Sequence, residues 1–294
     1  MFRKLGFVYF WLVLWITLLP STCMAQLNAT TFEDYSQLEI NPYLLNPAAV
    51  NTTYNYNLRS QYIIETGLIK NVNRFYFDAD FKIKTTKENS FHFLGIQTTG
   101  SNLGDYIHKN RLNGRYSWYS RISENAYLSS GIALGFVNYA LLTTQGGTGG
   151  SDFGPDGMVG IQYIRHYLSA GLAIQQLFSP VLTPIRESFQ QSRLYIFNMS
   201  EKFEITPNTT LTLSGNLQYS NSQPLLYNMG LTANISNIIF SINNVSLRKT
   251  SISFGVKNIA VLKNKLMIYY TYSIYQSSFP LPNNSMEFFI AFQK

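Results

Sequence analysis

From residue 52 onward the chain alternates between apolar and polar positions. In Arg74 to Lys84 one side carries Phe75, Phe77, Ala79, Phe81 and Ile83, and the other Arg74, Tyr76, Asp78, Asp80, Lys82 and Lys84. Arg111 to Ile122 sets Leu112, Tyr116, Trp118 and Ile122 against Arg111, Arg115 and Arg121. Thr210 to Tyr219, Asn228 to Ser236 and Ser251 to Lys257 repeat the pattern. Successive side chains of a strand point to opposite faces, so a period of two predicts strands. The uncharged stretch Ala126 to Leu142 is near the length of a membrane helix. Yet Leu128, Ile132, Leu134 and Phe136 sort to one face, with Ser129, Gly131, Ala133 and Gly135 on the other. A helix in lipid has no cause to sort that way. This too is a predicted strand.

Segments of this kind number about 14 and run to the end of the chain, and most are as long as a tilted membrane-spanning strand. Among them are cuts near 52–64, 74–84, 91–98, 111–122, 126–142, 158–165 and 285–293. A soluble sandwich is the competing reading. Its strands average about five or six residues and would turn the apolar side inward. The connections favour a barrel, because outer-membrane barrels alternate short turns with longer loops. Residues 65–73, 99–110, 143–157, 178–192 and 276–284 are the long connections. Residues 85–90, 123–125, 166, 206–208 and 261–264 are the short ones. The expected fold is all-β: a transmembrane antiparallel barrel over 51–294, with a non-strand N-terminal segment on the periplasmic side.

The first 50 residues read differently. Arg3 and Lys4 precede an uncharged apolar run from Leu5 to Leu19, and Cys23-Met24-Ala25 supplies small residues for cleavage after Ala25. Residues 1–25 are therefore expected to be an export signal. An anchor helix, or a lipid on Cys23, is the alternative. Residues 26–50 do not alternate, and contain Asn41-Pro42-Tyr43-Leu44-Leu45-Asn46-Pro47-Ala48. Each proline removes a ladder donor and keeps its predecessor out of the helical region. The expected result is a stiff, turn-forming lead into the first strand, either plugging the lumen or lining its periplasmic mouth.

Composition sharpens this picture. Charged residues are 13% of the chain and aromatics 15%, which excludes a disordered chain and argues against a helical bundle. The formal net charge is +7, but the cations are spread along polar strand faces, so no nucleic-acid partner is expected. One Cys and three His leave little for a disulfide or metal site, and no cofactor is expected. His166 and Ser169 sit on opposite faces of one strand, which disfavours a barrel esterase. Asp78 and Asp80 share a face, but Lys82 and Lys84 continue it, so a mixed-charge stripe is preferred to a carboxylate pair. The Gly146 to Gly150 run lacks the lysine of a phosphate loop. An enzyme is not expected. Asp78, Asp80, Lys82, Lys84, Arg111, Arg115 and Arg121 are candidate lumen charges. They leave open a channel for a small polar or anionic solute.

Tyr35-Ser36-Gln37, followed by Asn41-Pro42 and Asn46-Pro47-Ala48, resembles the N-terminal signature of the PorP/SprF family. Thr206-Pro207, Pro224-Leu225-Leu226 and the closing Ser285-Met286-Glu287-Phe288 are similar to later parts of that family, with Met286 where a His is usual. The resemblance implies an outer-membrane component of the type IX secretion and gliding apparatus. Its implied partners are outer-membrane lipid, secretion components and a large secreted adhesin whose export or surface attachment it supports. Asn41, Pro42, Asn46, Pro47 and Ala48 match the family motif, with a structural role favoured over partner contact. No catalytic residue carries over.

Overall fold

Strands that cross lipid must pair every backbone N–H and C=O, which an open sheet cannot do at its two edges. The computed structural model meets this demand by closure. It describes residues 36, 40–67, 70–84, 90–142, 149–185, 188–246, 248–261, 263–276 and 284–294. The leader 1–25 and residues 146–148 of the glycine run lie outside the described residues. The wall begins with β1 (Tyr56–Thr66), β2 (Val72–Lys84), β3 (Ser90–Leu103), β4 (Ile107–Ser123), β5 (Ala126–Leu141), β6 (Gly150–Arg165) and β7 (Leu168–Gln175). Two short strands, β8 (Val181–Leu182) and β9 (Phe189–Gln190), then pair as a separate hairpin. The wall resumes with β10 (Leu194–Thr206), β11 (Thr209–Ser220), β12 (Gln223–Ile235) and β13 (Ile238–Val245). It ends with β14 (Lys249–Val261), β15 (Asn264–Tyr275) and β16 (Asn284–Gln293).

Fourteen strands thus form one closed antiparallel barrel, with β1 paired to β16 from Asn57↔Gln293 to Thr66↔Asn284. The predicted faces hold. Phe75, Leu112, Leu134, Phe136, Ile252 and Phe254 point outward and are 41–65% exposed. Asp78, Ser117, Ser129, Thr271, Ser273 and Glu287 point inward and are fully buried. Apolar residues outside and polar residues inside invert the soluble arrangement, as a lipid-facing wall requires.

One end of the barrel carries two-residue turns at Glu124-Asn125, His166-Tyr167, Pro207-Asn208 and Ser236-Asn237. His166 (φ 52°) and Ser236 (φ 54°) take the left-handed backbone that lets a tight turn follow the strand twist. The other end is mostly longer, apart from the two-residue turn Asn221-Ser222 and the short 246–248 connection, and differs from expectation in two places. β3 and β4 continue through much of the predicted 99–110 loop and meet across Gly104 to Tyr106, where Gly104 has φ 75°. β6 starts at Gly150, not near 158, and pairs with β5 along its whole length. Both stretches are mostly Gly, Ser, Thr, Asn and Asp with only isolated apolar residues such as Leu103, Ile107 and Phe153, so alternation could not mark them as strands. The wall is consequently tallest at β3 to β6. The β8–β9 hairpin folds inward against it, with Leu182 packed on Val137 and Tyr139 and the Phe189 ring 4.7 Å from that of Tyr139.

Phe254 lies near the middle of β14 and faces outward. Phe254→Arg is expected to cost about 2–4 kcal/mol, the depth-dependent penalty of a cation on a lipid-facing strand. Urea unfolding from lipid vesicles measures this, and an unchanged midpoint would mean that this face does not meet lipid.

Candidate functional site

The Asn-Pro segment lies inside the barrel. Pro42 starts a single 3-10 turn, Pro42–Leu44, where its missing N–H costs nothing. Leu45 and Asn46 donate back to the Pro42 carbonyl at 3.2 and 3.1 Å. Asn46 then forms a second turn, its Oδ1 accepting from the Ala48 amide at 2.9 Å. Asn41, Asn46, Ala48 and Ala49 are each 1% exposed or less. Backbone carbonyls buried this deeply need donors, and the wall supplies them. Gln97 Nε2 donates to Tyr43 O at 3.3 Å, and Gln175 Nε2 to Leu44 O and Leu45 O at 3.0 and 3.2 Å. Ser117 Oγ donates to Pro47 O at 2.6 Å, while Asn46 Nδ2 donates to Ile161 O at 3.2 Å. Leu44 and Leu45 also pack with Ile63, Tyr76, Leu194 and Ile196 in an apolar cluster on the lumen side.

Small wall residues make room for these turns. A Cβ on Gly131 would strike the Pro47 carbonyl, and one on Gly160 would strike the Asn46 amide. A Cβ on Gly171 would lie 2.7 Å from Asn46 Nδ2. Gly131, Gly160 and Gly171 thus form a trough across β5, β6 and β7. Farther back along the chain, the Ser36 amide lies 3.3 Å from each oxygen of Glu287 on β16. Ser36 and residues 40–50 therefore touch walls on different sides of the lumen.

The lumen charges form compact, paired groups. Arg59 of β1 binds Asp78 and Asp80 of β2 through Nη2, and its Nε reaches Asp78 Oδ1 at 2.9 Å. Arg115 Nη2 lies 2.7 Å from Asp80 and 3.4 Å from Asp78. All four side chains are buried. Two cations against two anions leave the cluster neutral, and burial is tolerable because each charge has an opposite partner. The Tyr43 ring of the plug lies 3.5 Å from the Arg59 Cζ and 5.3 Å from that of Arg115, a cation–π contact that ties plug to wall. Burial pushes the Tyr43 phenol pKa up, so it stays neutral. Elsewhere Arg111 faces Asp156 at 3.4 Å, and Lys249 faces Glu287 at 3.3 Å.

Of the charges expected in the lumen, Asp78, Asp80 and Arg115 come together, and Arg111 lies in a separate pair. Arg121 does not join them: it is exposed at the short-turn end and donates to Ser123 O and Glu124 O. Lys82 caps the Thr52 carbonyl at 2.7 Å. Lys84 ends β2, the strand that also carries Asp78 and Asp80. The sequence reading missed Arg59, Lys249 and the role of Glu287. His92 stacks on Tyr116 at the surface and His166 sits in a turn. Among the described residues no three His, Cys, Asp or Glu side chains could hold a metal.

A closed fourteen-stranded wall, apolar outside and filled with polar groups inside, defines an outer-membrane β-barrel. The chain is similar in fold to CymD, a monoaromatic hydrocarbon channel. The TM-score is 0.58 at 11% identity, covering 91% of this chain and 94% of that one. It is also similar to the toluene transporter TodX of Pseudomonas putida, with TM-score 0.56 at 7% identity over 86% and 93% of the two chains. At such identities the likeness is one of fold alone. No curated protein matches the chain. The sequence model of the type IX secretion system membrane protein family PorP/SprF matches residues 28–292, and the chain belongs to that family.

The trough generates a test. Gly160→Leu should expel the Asn46 turn and give ion current in planar bilayers where the parent barrel gives none. Equal currents from the two proteins would show that the segment does not seal the lumen.

Proposed function

We propose that this barrel supports the export or surface attachment of a large secreted adhesin in the type IX secretion and gliding apparatus, and that it is not an enzyme. The observation carrying this reading is the family match across nearly the whole chain. On this reading residues 1–25 direct export and are removed, and residues 26–50 form the N-terminal Asn-Pro segment, whose residues 40–50 lie in the lumen. Residues 51–294 form the barrel. The chain then starts in the periplasm, so the short-turn end faces the periplasm and the tall wall at β3 to β6 faces outward. Short periplasmic turns and longer outer loops are the usual arrangement of such barrels. Asn41, Pro42, Asn46, Pro47 and Ala48 serve as the lumenal anchor, not as a partner contact. The packing of Ser36 and residues 40–50 inside the lumen speaks against the alternative, a channel for a small polar or anionic solute.

Deleting the gene in the native host and comparing secreted and surface proteomes by mass spectrometry tests the proposal. Selective loss of one or a few large adhesins, with other exports intact, is the expected outcome. An unchanged surface proteome would overturn it.

A further inference from the structure

At the short-turn end, β14 carries an irregularity that closing the wall does not require. The β14–β15 register slips between Val256 and Ile259, so Lys257 and Asn258 together oppose Met267. Asn258 takes φ 58°, a left-handed backbone that asparagine tolerates. In a regular strand one of two consecutive residues would point away from the lumen. Here Lys257 and Asn258 both line a cavity of about 290 Å³ beside the plug. Re-aiming a side chain is what bulges at barrel rims do.

The cavity lies in a sector of one charge. From Ile205 to Met286 the sequence has no Asp or Glu, yet it holds Arg248, Lys249, Lys257, Lys263 and Lys265. No acid lines the cavity, and of its two cations Arg59 is matched by Asp78 and Asp80. Lys257 Nζ donates to the neutral amide of Asn234 at 2.9 Å. Lys265 pairs across the ladder with Gln293, a lining residue, and its Nζ is 5.8 Å from the ring of Tyr54, another. Lys294 follows β16, with Nζ 5.9 Å from the Tyr56 ring, and Lys263 occupies the β14–β15 turn. Lys263, Lys265 and Lys294 are exposed, so an incoming group reaches them from water. Like charges around a concavity with low-dielectric walls focus a field that draws in anions.

The layout of the charge selects the anion. Lys257 and Lys265 share the face of Ser253 and Thr271, which are buried in the lumen. They therefore face the barrel mouth, not the bilayer where a lipid headgroup would lie. Lys263, Lys265 and Lys294 stand outside the cavity lining, so the cationic surface runs past the cavity, as suits a chain and not a single small ion. Asn51, Asn258 and Gln293 bring amides that both donate and accept, as peptide groups need. Ile40 and Met267, both half-buried, add apolar surface for a side chain.

We propose that this mouth, from β14 to β16, binds an acidic peptide segment, with carboxylates on Lys257, Lys265 and Lys294 and an apolar side chain against Ile40 and Met267. The site stands on its own geometry and does not depend on the adhesin reading. The full chain in an amine-oxide detergent is titrated calorimetrically with a short peptide alternating Glu and Val, and with the same peptide carrying Gln for Glu. Saturable binding of the Glu peptide is expected, weakening as salt is raised, with the Gln peptide at least about tenfold weaker. Lys265→Gln should lower the affinity about threefold, and its combination with Lys294→Gln about tenfold, the scale of exposed ion pairs. Lys202→Gln makes the same charge change at the same end on β10 and should leave binding unaltered. The proposal is overturned if the Glu peptide does not saturate, or if the Gln peptide binds as tightly. It also fails if Lys202→Gln weakens binding as much as Lys265→Gln, as attraction to net charge alone would. Free glutamate or short-chain phosphatidylglycerol binding as tightly as the peptide would overturn it in favour of a small anion or a lipid headgroup.

Discussion

Lipid offers no hydrogen bonds to a peptide backbone, and the architecture of this protein follows from that constraint. A sheet escapes it only by meeting itself, and here the meeting is made by β1 and β16, the first and last strands among the described residues. Once the sheet closes, the strand period divides every side chain between lipid and lumen. The outward half must then be apolar, and Phe75, Leu134 and Phe254 are. The inward half inherits the polar residues and with them the task of satisfying every buried charge and amide.

The lumen answers that task by being filled. Asp78 and Asp80 on β2 would repel each other strongly in a low dielectric without Arg59 and Arg115 between them. The plug adds what the wall lacks. Tyr43 covers the guanidinium groups, and Leu44 and Leu45 bury apolar surface worth up to about 1.5–3 kcal/mol each. Wall and plug are also fitted by subtraction, since Gly131, Gly160 and Gly171 carry no side chain where Asn46 and Pro47 lie. A rigid double turn and a trough cut to its shape make a single solution more probable than a loosely held one, because each half excludes other packings.

Much of this was legible in the sequence, for a physical reason. Residues under lipid must alternate, so the β2, β4 and β5 faces could be read directly from Arg74 to Lys84, Arg111 to Ile122 and Ala126 to Leu142. Beyond the lipid that demand lapses. Residues 99–103, 107–110 and 150–157 are strands with only isolated apolar residues, and they were read as loops. Pairings across strands were harder still. Arg59 is an isolated arginine in its own segment, and its meaning appears only when β1 and β2 are laid in register, which sets it opposite Asp78. Folding the two segments about their connection would have come within a residue of that alignment. The crossing of the lumen by Asn41 to Ala48 had no such signal. Two Asn-Pro steps announce turns, but not where the turns are kept.

The plug and the seam together impose an order on assembly. Ser36 is held by Glu287 of the last strand, and the chain leaves the lumen at Asn55, whose amide binds the carbonyl of the final residue, Lys294. Ser36 and Asn55 are thus fastened to β16 and the residue after it, and neither contact can form before that strand arrives. Contacts so distant along the chain form slowly, since the entropy of joining the ends must be lost before they are made. Until β16 docks, the sheet remains an open cup in which residues 40–50 can settle sideways against β3 to β7, with no need to thread through a closed ring. The final strand then acts as a latch, and a chain truncated before Ser285 would be left with its filling in place and its door ajar.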